Sequence, residues 1–141
     1  MSGEAFLDTN IFVYSFDDTA PKKREIAEEL IRQALREETA IISYQVVQEF
    51  LNAATRLFKQ RLDAGDASRY LSATLEPLWK VSPSPELFQS AIAMQTRYRY
   101  AFYDALIIAA ALLGGCRMLY SEDLQHGQRI EDLTIENPFR E

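Results

Sequence analysis

Short apolar runs alternate along this chain with longer segments whose apolar residues recur at helical spacing, and this alternation constrains the fold most. Glu4 to Asp8, Ala40 to Ser43, Leu78 to Val81, Arg117 to Ser121 and Leu133 to Glu136 read as short strands. Thr19-Ala20-Pro21 opens a helix with proline in its first turn, and Ile26, Leu30, Ile31 and Leu35 mark one face of it to about Arg36. Ser43 is placed to cap a helix from about Tyr44 to Lys59, on which Val46, Phe50, Ala53, Ala54 and Leu57 share a face. Asp63-Ala64-Gly65-Asp66 reads as a turn and cap before a short helix through Leu75. Ser84-Pro85 starts another helix, with Leu87, Phe88, Ala91 and Ile92 inward. Asp104 opens a very apolar helix that Gly114-Gly115 ends. Strands separated by helices imply an α/β fold: a parallel sheet with helices on both faces.

The 141 residues suit one domain over 1–141, and 48% hydrophobic residues supply a sizeable core. Met1-Ser2-Gly3-Glu4 has neither the basic start nor the apolar stretch of a signal peptide. The longest apolar run, Ala105 to Leu113, is too short to span a bilayer, so no membrane role is expected. A single cysteine, Cys116, cannot form an internal disulfide and reads as a small core residue, which makes a reducing cytoplasm the natural compartment.

Four acids stand where such a fold would gather them. Asp8 ends the first apolar run, in Phe6-Leu7-Asp8-Thr9-Asn10, and Asp123 follows another, in Leu119-Tyr120-Ser121-Glu122-Asp123. Asp104 opens its helix, in Tyr103-Asp104-Ala105-Leu106-Ile107, and Glu49 lies about 40° from Ala53 at the edge of its helical face. In parallel sheets, sites form beyond the C-terminal strand ends. Two carboxylates about 5 Å apart repel by about 3 kcal/mol at an effective dielectric near 20. A cluster of them therefore calls for a cation, and oxygen-only ligands suit Mg²⁺ or Mn²⁺. Such a metal polarises a phosphate and activates a water. Taken singly, each acid also has a structural role open to it: turn cap for Asp8, solvated helix residue for Glu49, helix-dipole partner for Asp104, loop residue for Asp123.

Asn10 and Ser121 are candidates to hydrogen-bond a ligand carboxylate or a metal-bound water, or to shape turns. Thr96-Arg97-Tyr98-Arg99-Tyr100 interleaves cations with rings, which suits RNA bases and phosphates through Arg97 and Arg99, or helix-end packing. His126, the only histidine, reads as a loop residue rather than a catalytic base. The net charge of −6 argues against broad electrostatic binding to nucleic acid, an objection that weakens if the acids hold a cation. No Walker loop or GxGxxG motif is present.

Leu7-Asp8-Thr9-Asn10, Gln48-Glu49-Phe50, Tyr103-Asp104-Ala105-Leu106-Ile107 and Ser121-Glu122-Asp123-Leu124 together resemble, in order and spacing, the PIN domain family and within it the VapC-type toxins. The resemblance runs over nearly the whole chain. It implies a three-layer α/β/α sandwich with a central parallel sheet, and a Mg²⁺- or Mn²⁺-dependent endoribonuclease. It carries the acidic-site roles onto Asp8, Glu49, Asp104 and Asp123. It also implies homodimers, and an antitoxin whose tail covers the site. The Ser121–Gly127 stretch looks like one subset of the family, which leaves open whether Glu122 joins the metal site. The alternatives are a PIN-like module that binds RNA or protein without cutting and, less favoured without a phosphate loop, a small-molecule phosphohydrolase.

Overall fold

The structure, a computed structural model, describes residues 4–140; Met1, Ser2 and Gly3, where the absence of a signal peptide is expected, lie outside them. Strand β1 (Ala5–Leu7) is central, flanked in parallel by β2 (Ala40–Ser43) and β4 (Met118–Tyr120). Strand β3 (Trp79–Val81) continues the sheet beyond β2, and β6 (Leu133–Glu136) lies beyond β4, both parallel. The order is β3-β2-β1-β4-β6-β5, with β5 (Arg129–Ile130) the one antiparallel member, paired to β6. β5 escaped the sequence reading because two residues carry no periodicity. The sheet is thus a largely parallel one flanked by helices, an α/β/α sandwich.

The helices are α1 (Thr9–Tyr14), α2 (Pro21–Glu37), α3 (Tyr44–Asn52), α4 (Ala64–Tyr70), α5 (Glu76–Leu78), α6 (Pro85–Tyr98) and α7 (Phe102–Leu113). Two caps form as expected: Asp63 accepts from the Asp66 amide at 2.8 Å, and Ser84 Oγ from the Leu87 amide at 3.1 Å. Ser43 occupies the cap position of α3, but its hydroxyl is buried at the end of β2 and makes no capping bond. Between α7 and β4 the chain passes Gly115, whose φ of 74° suits a residue without Cβ.

Three expected inward faces lose at least one residue to the surface. On α2 Ile31 is buried with Ala27 and Ala34, and Leu30 and Leu35 pack partly buried against the core, which leaves Ile26 alone of the expected four exposed. On α6 they are Leu87, Ala91 and Met94; Phe88 and Ile92 follow Leu87 and Ala91 by one residue, about 100° round the helix, and are exposed. The third case has a backbone cause. Beyond Asn52, α3 widens into a π turn over Ala53–Leu57, which inserts a residue and breaks the 3.6-residue phase. Ala54 stays buried, whereas Leu57, expected inward, is 73% exposed. The widened turn serves an aromatic cluster. The Phe50 ring stacks on Tyr70 at 4.8 Å and meets Phe12 and Phe58 edge-on, locking α3 against α1 and α4.

Because Phe50 is fully buried on the helix that carries Glu49 while Leu57 is exposed, the two differ sharply in expected cost. Phe50→Ala should lose about 3–5 kcal/mol in urea unfolding, whereas Leu57→Ser should stay within about 0.5 kcal/mol. A large loss at Leu57 would contradict the π turn.

Candidate metal centre at the C-terminal edge of the sheet

At the end of β1 the Asp8 amide still pairs with the Tyr120 carbonyl of β4, at 3.0 Å, and the chain then turns directly into α1. Asp8 caps that helix, its Oδ1 accepting from the Thr9 amide at 2.7 Å. Its other oxygen, Oδ2, accepts from the fully buried Ser121 hydroxyl at 2.7 Å, just past the end of β4. The same hydroxyl accepts from the Asp123 amide at 3.2 Å. Asn10 Nδ2 closes the ring by donating to Asp123 Oδ2 at 3.2 Å. Asp8, Asn10, Ser121 and Asp123, from the ends of two adjacent strands, therefore form one connected set.

Glu49 reaches this set from α3. Its Oε1 accepts from Thr9 Oγ1 at 2.6 Å and its Oε2 from Gln45 Nε2 at 3.0 Å. Gln45 also donates to the Tyr103 carbonyl at 3.1 Å, tying α3 to the first turn of α7, where Asp104 stands.

The acids feel one another. Burial pushes the Asp8 carboxyl up to about 6; the Ser121 and Thr9 hydrogen bonds work against that, and the negative charges of Glu49 and Asp123 add to it. Burial likewise raises Asp104, helped by the charges of Asp123 and Glu49. Even so, no three His, Cys, Asp or Glu side chains among the described residues stand close enough to form a ready ligand set. Their chemistry nonetheless fits a hard cation: the donors are all oxygens, and Asn10 Oδ1 is buried beside them with no hydrogen-bond partner. Mg²⁺ keeps several waters when bound, so it does not demand that three carboxylates touch it directly.

Thr9 and Tyr100 stand in the motifs without a role of their own there, and Gln45 stands outside them; all three contribute here. Gln45 stands four residues before Glu49 on one helix, the spacing of neighbouring side chains. The Tyr100 hydroxyl bonds Gln128, and burial, with the charge of Asp104 adding, raises its pKa, so the α6–α7 turn braces the segment after Asp123. Arg97 and Arg99 sit at the C-terminal end of α6, the Arg97 guanidinium 5.4 Å from the Tyr98 ring and Arg99 left-handed at φ 62°. They touch none of the four acids through a hydrogen bond or ion pair among the described residues. His126 is exposed, with Nδ1 accepting from the Asn137 amide at 3.0 Å, and Cys116 is buried, its thiol pushed up to about 12 by that burial. Among the described residues no helix is long and apolar enough to cross a membrane.

The family profile described as "PIN domain" matches residues 5–129. No protein of curated function matches the chain in sequence. Several solved structures share its fold. A toxin–antitoxin complex from Klebsiella pneumoniae superposes with TM-score 0.69 at 20% identity, over 96% of this chain and 98% of that one. VapBC2 from Rickettsia felis, bound to a fragment of its promoter DNA, gives 0.64 at 19% identity, over 94% and 97%. VapC20 from Mycobacterium tuberculosis, described as a sarcin–ricin loop cleaving toxin, gives 0.56 at 19% identity, over 84% and 89%.

The raised Asp8 carboxyl has a sign that can be measured. A folded-state value of about 6 against the ordinary 3.8 favours the fold below pH 4, and that contribution is lost as pH rises through 6. In chelator, wild type should lose on the order of 3 kcal/mol between pH 4 and pH 7 from this group. Asp8→Asn should be flatter over that range in urea unfolding, and more stable than wild type at pH 7. Parallel profiles for the two proteins would refute the buried-charge reading of Asp8.

Proposed function

The chain belongs to the PIN domain family, and from that premise we propose that it is a Mg²⁺- or Mn²⁺-dependent endoribonuclease, the toxin of a toxin–antitoxin pair, working in the cytoplasm. The observation that carries this reading is the Asp8 carboxylate, buried and pressed by the charges of Glu49 and Asp123. Asp8, Glu49, Asp104 and Asp123 would hold the cation. When bound, the cation would offset phosphate charge and ease deprotonation of the attacking water. Ser121 fixes Asp8, Asn10 fixes Asp123, and Thr9 with Gln45 fixes Glu49. Arg97 and Arg99 are assigned to the RNA phosphates, the Arg–phosphate pairing being the strong one.

The partners are proposed from the same likeness. An antitoxin is supported by the likeness to the Klebsiella pneumoniae structure, a toxin–antitoxin complex. A homodimer is supported by an exposed apolar surface. Tyr44, Phe88 and Tyr103 line a cleft of about 250 Å³, and Ile92 lies one turn beyond Phe88. Exposed apolar patches of this kind mark interaction surfaces.

A second reading, a PIN-like module that binds RNA or protein without cutting it, is favoured by the lack of a ready three-ligand set among the described residues. The two readings separate on two measurements. Asp8→Asn and Asp104→Asn should each lower Mg²⁺-dependent RNA cleavage at least about a hundredfold, more than loss of an outer hydrogen bond does, with circular dichroism unchanged. Full activity in both variants, or no Mg²⁺ or Mn²⁺ binding by calorimetry at millimolar metal, sinks the nuclease. For the dimer, Phe88→Glu should convert a two-chain species to a single chain in sedimentation velocity. A wild type that sediments as one chain removes the dimer from the reading.

A further inference from the structure

Glu122 stands between two residues of the site, Ser121 and Asp123, yet its side chain turns the opposite way. Its Oε1 accepts from the Tyr14 hydroxyl at 2.5 Å, and its Oε2 accepts from Lys23 Nζ at 2.5 Å. Lys23 also donates to the Tyr14 oxygen at 3.3 Å, and its Nζ lies 4.8 Å from the Tyr14 ring centre. The Tyr14 ring in turn packs edge-on against buried Phe139, 4.9 Å between centres. Three side chains from the end of α1, the first turn of α2 and the loop after β4 thus close one triangle.

The position of that triangle matters. Helix α1 is only six residues long. It starts with the pieces of the site, Asp8 as cap followed by Thr9 and Asn10, and ends on Tyr14. The loop after β4 supplies Ser121 and Asp123, with Glu122 between them. The site and the triangle therefore join the same two segments at two places. One joint is Asp8–Ser121 with Asn10–Asp123; the other is Tyr14–Glu122, reinforced by Lys23. In the first joint the exposed Asp123 is held by two contacts of 3.2 Å, its carboxylate by Asn10 and its amide by the Ser121 hydroxyl.

We propose that Glu122 is a positioning residue, anchored by Lys23 and Tyr14 so that the next residue, Asp123, faces Asp8 across the metal centre, and that Glu122 is not itself a ligand. This rests on the metal-dependent reading above. A carboxylate receiving two donors, one of them charged, is fixed in rotamer more firmly than by either alone. As a stabilising device the pair is weak, because Lys23 is 38% exposed and Glu122 24%. Its effect belongs to geometry, and hence to metal affinity.

The test is Mn²⁺ binding to the full chain, followed by electron paramagnetic resonance of the free ion, with melting curves alongside. Glu122→Gln and Lys23→Met should each weaken Mn²⁺ about tenfold, the lower range for supporting groups around a metal. Tyr14→Phe should act in the same direction and less. The double variant should be no weaker than the worse single one, because both remove one clamp. Lys23→Arg should recover most of the affinity, and it keeps the test alive if Lys23→Met folds poorly. Glu122→Gln losing metal while Lys23→Met binds as well as wild type would make Glu122 a ligand and overturn the proposal. Lowered melting temperatures with unchanged Mn²⁺ affinity would make the triangle a plain brace, and additive losses would make the residues independent. A wild type that binds no Mn²⁺ brings down the metal-dependent reading, and this one with it, and differs from those outcomes in the first tube measured.

Discussion

A carboxylate lies on the seam between two parallel strands, and much of the structure can be understood as accommodating it. Asp8 ends β1, which is central in the sheet, and β1 is hydrogen-bonded to β4 along its length. Its carboxyl is buried, so ionisation there costs free energy unless donors compensate. The fold supplies two, the Thr9 amide at the start of α1 and the Ser121 hydroxyl at the end of β4. Each comes from a chain turn that the sheet edge forces anyway. The turn into α1 frees an amide, and the exit from β4 leaves a small hydroxyl within reach. One side chain thereby fixes the start of a helix to the neighbouring strand.

The surrounding acids follow the same logic of neutral donors. Glu49 accepts from Thr9 and Gln45, and Asp123 from Asn10. Lys23 pairs with Glu122, outside this set. Hydroxyls and amides orient a carboxylate without cancelling its charge. A lysine or arginine in their place would satisfy the carboxylates locally and remove the electrostatic demand for a cation. Burial is the main cause of the raised carboxyls of Asp8 and Asp104, and the charges of the neighbouring acids add to it.

Legibility in the sequence follows separation along the chain. The strand–helix alternation, the Asp63 and Ser84 caps and the glycine after α7 depend on neighbours, and each is visible in a few residues. The positions of Asp8 and Asp123 at strand ends follow from the same local patterns. What binds the site together does not. Thr9 meets Glu49 across 40 residues, Asn10 meets Asp123 across 113, and Tyr14 meets Glu122 across 108. No periodicity records such pairs. Asp8 and Asn10 are readable as turn residues, while the helix that follows Asp8 is not, because six residues are too few to show a face. The failures at Leu57, Phe88 and Ile92 have a different origin. Apolar spacing says that a helix has a face but fixes its rotation only to within one residue, and a π turn shifts the phase outright.

The open question at Glu122 shows how far local reading can go. In sequence it is one more acid in a row of three polar residues, as fit for metal as Asp123. What separates them is the geometry of a loop leaving a strand. Ser121, fully buried, turns its hydroxyl to the Asp8 side, and Glu122 then points towards α1 and α2, where a tyrosine and a lysine wait. Asp123 turns back towards Asn10, and its amide donates to that same Ser121 hydroxyl. The two acids beyond Ser121 thus part, Glu122 meeting Lys23 and Asp123 meeting Asn10. A substitution at Ser121 therefore removes two bonds, the one to Asp8 and the one from the Asp123 amide.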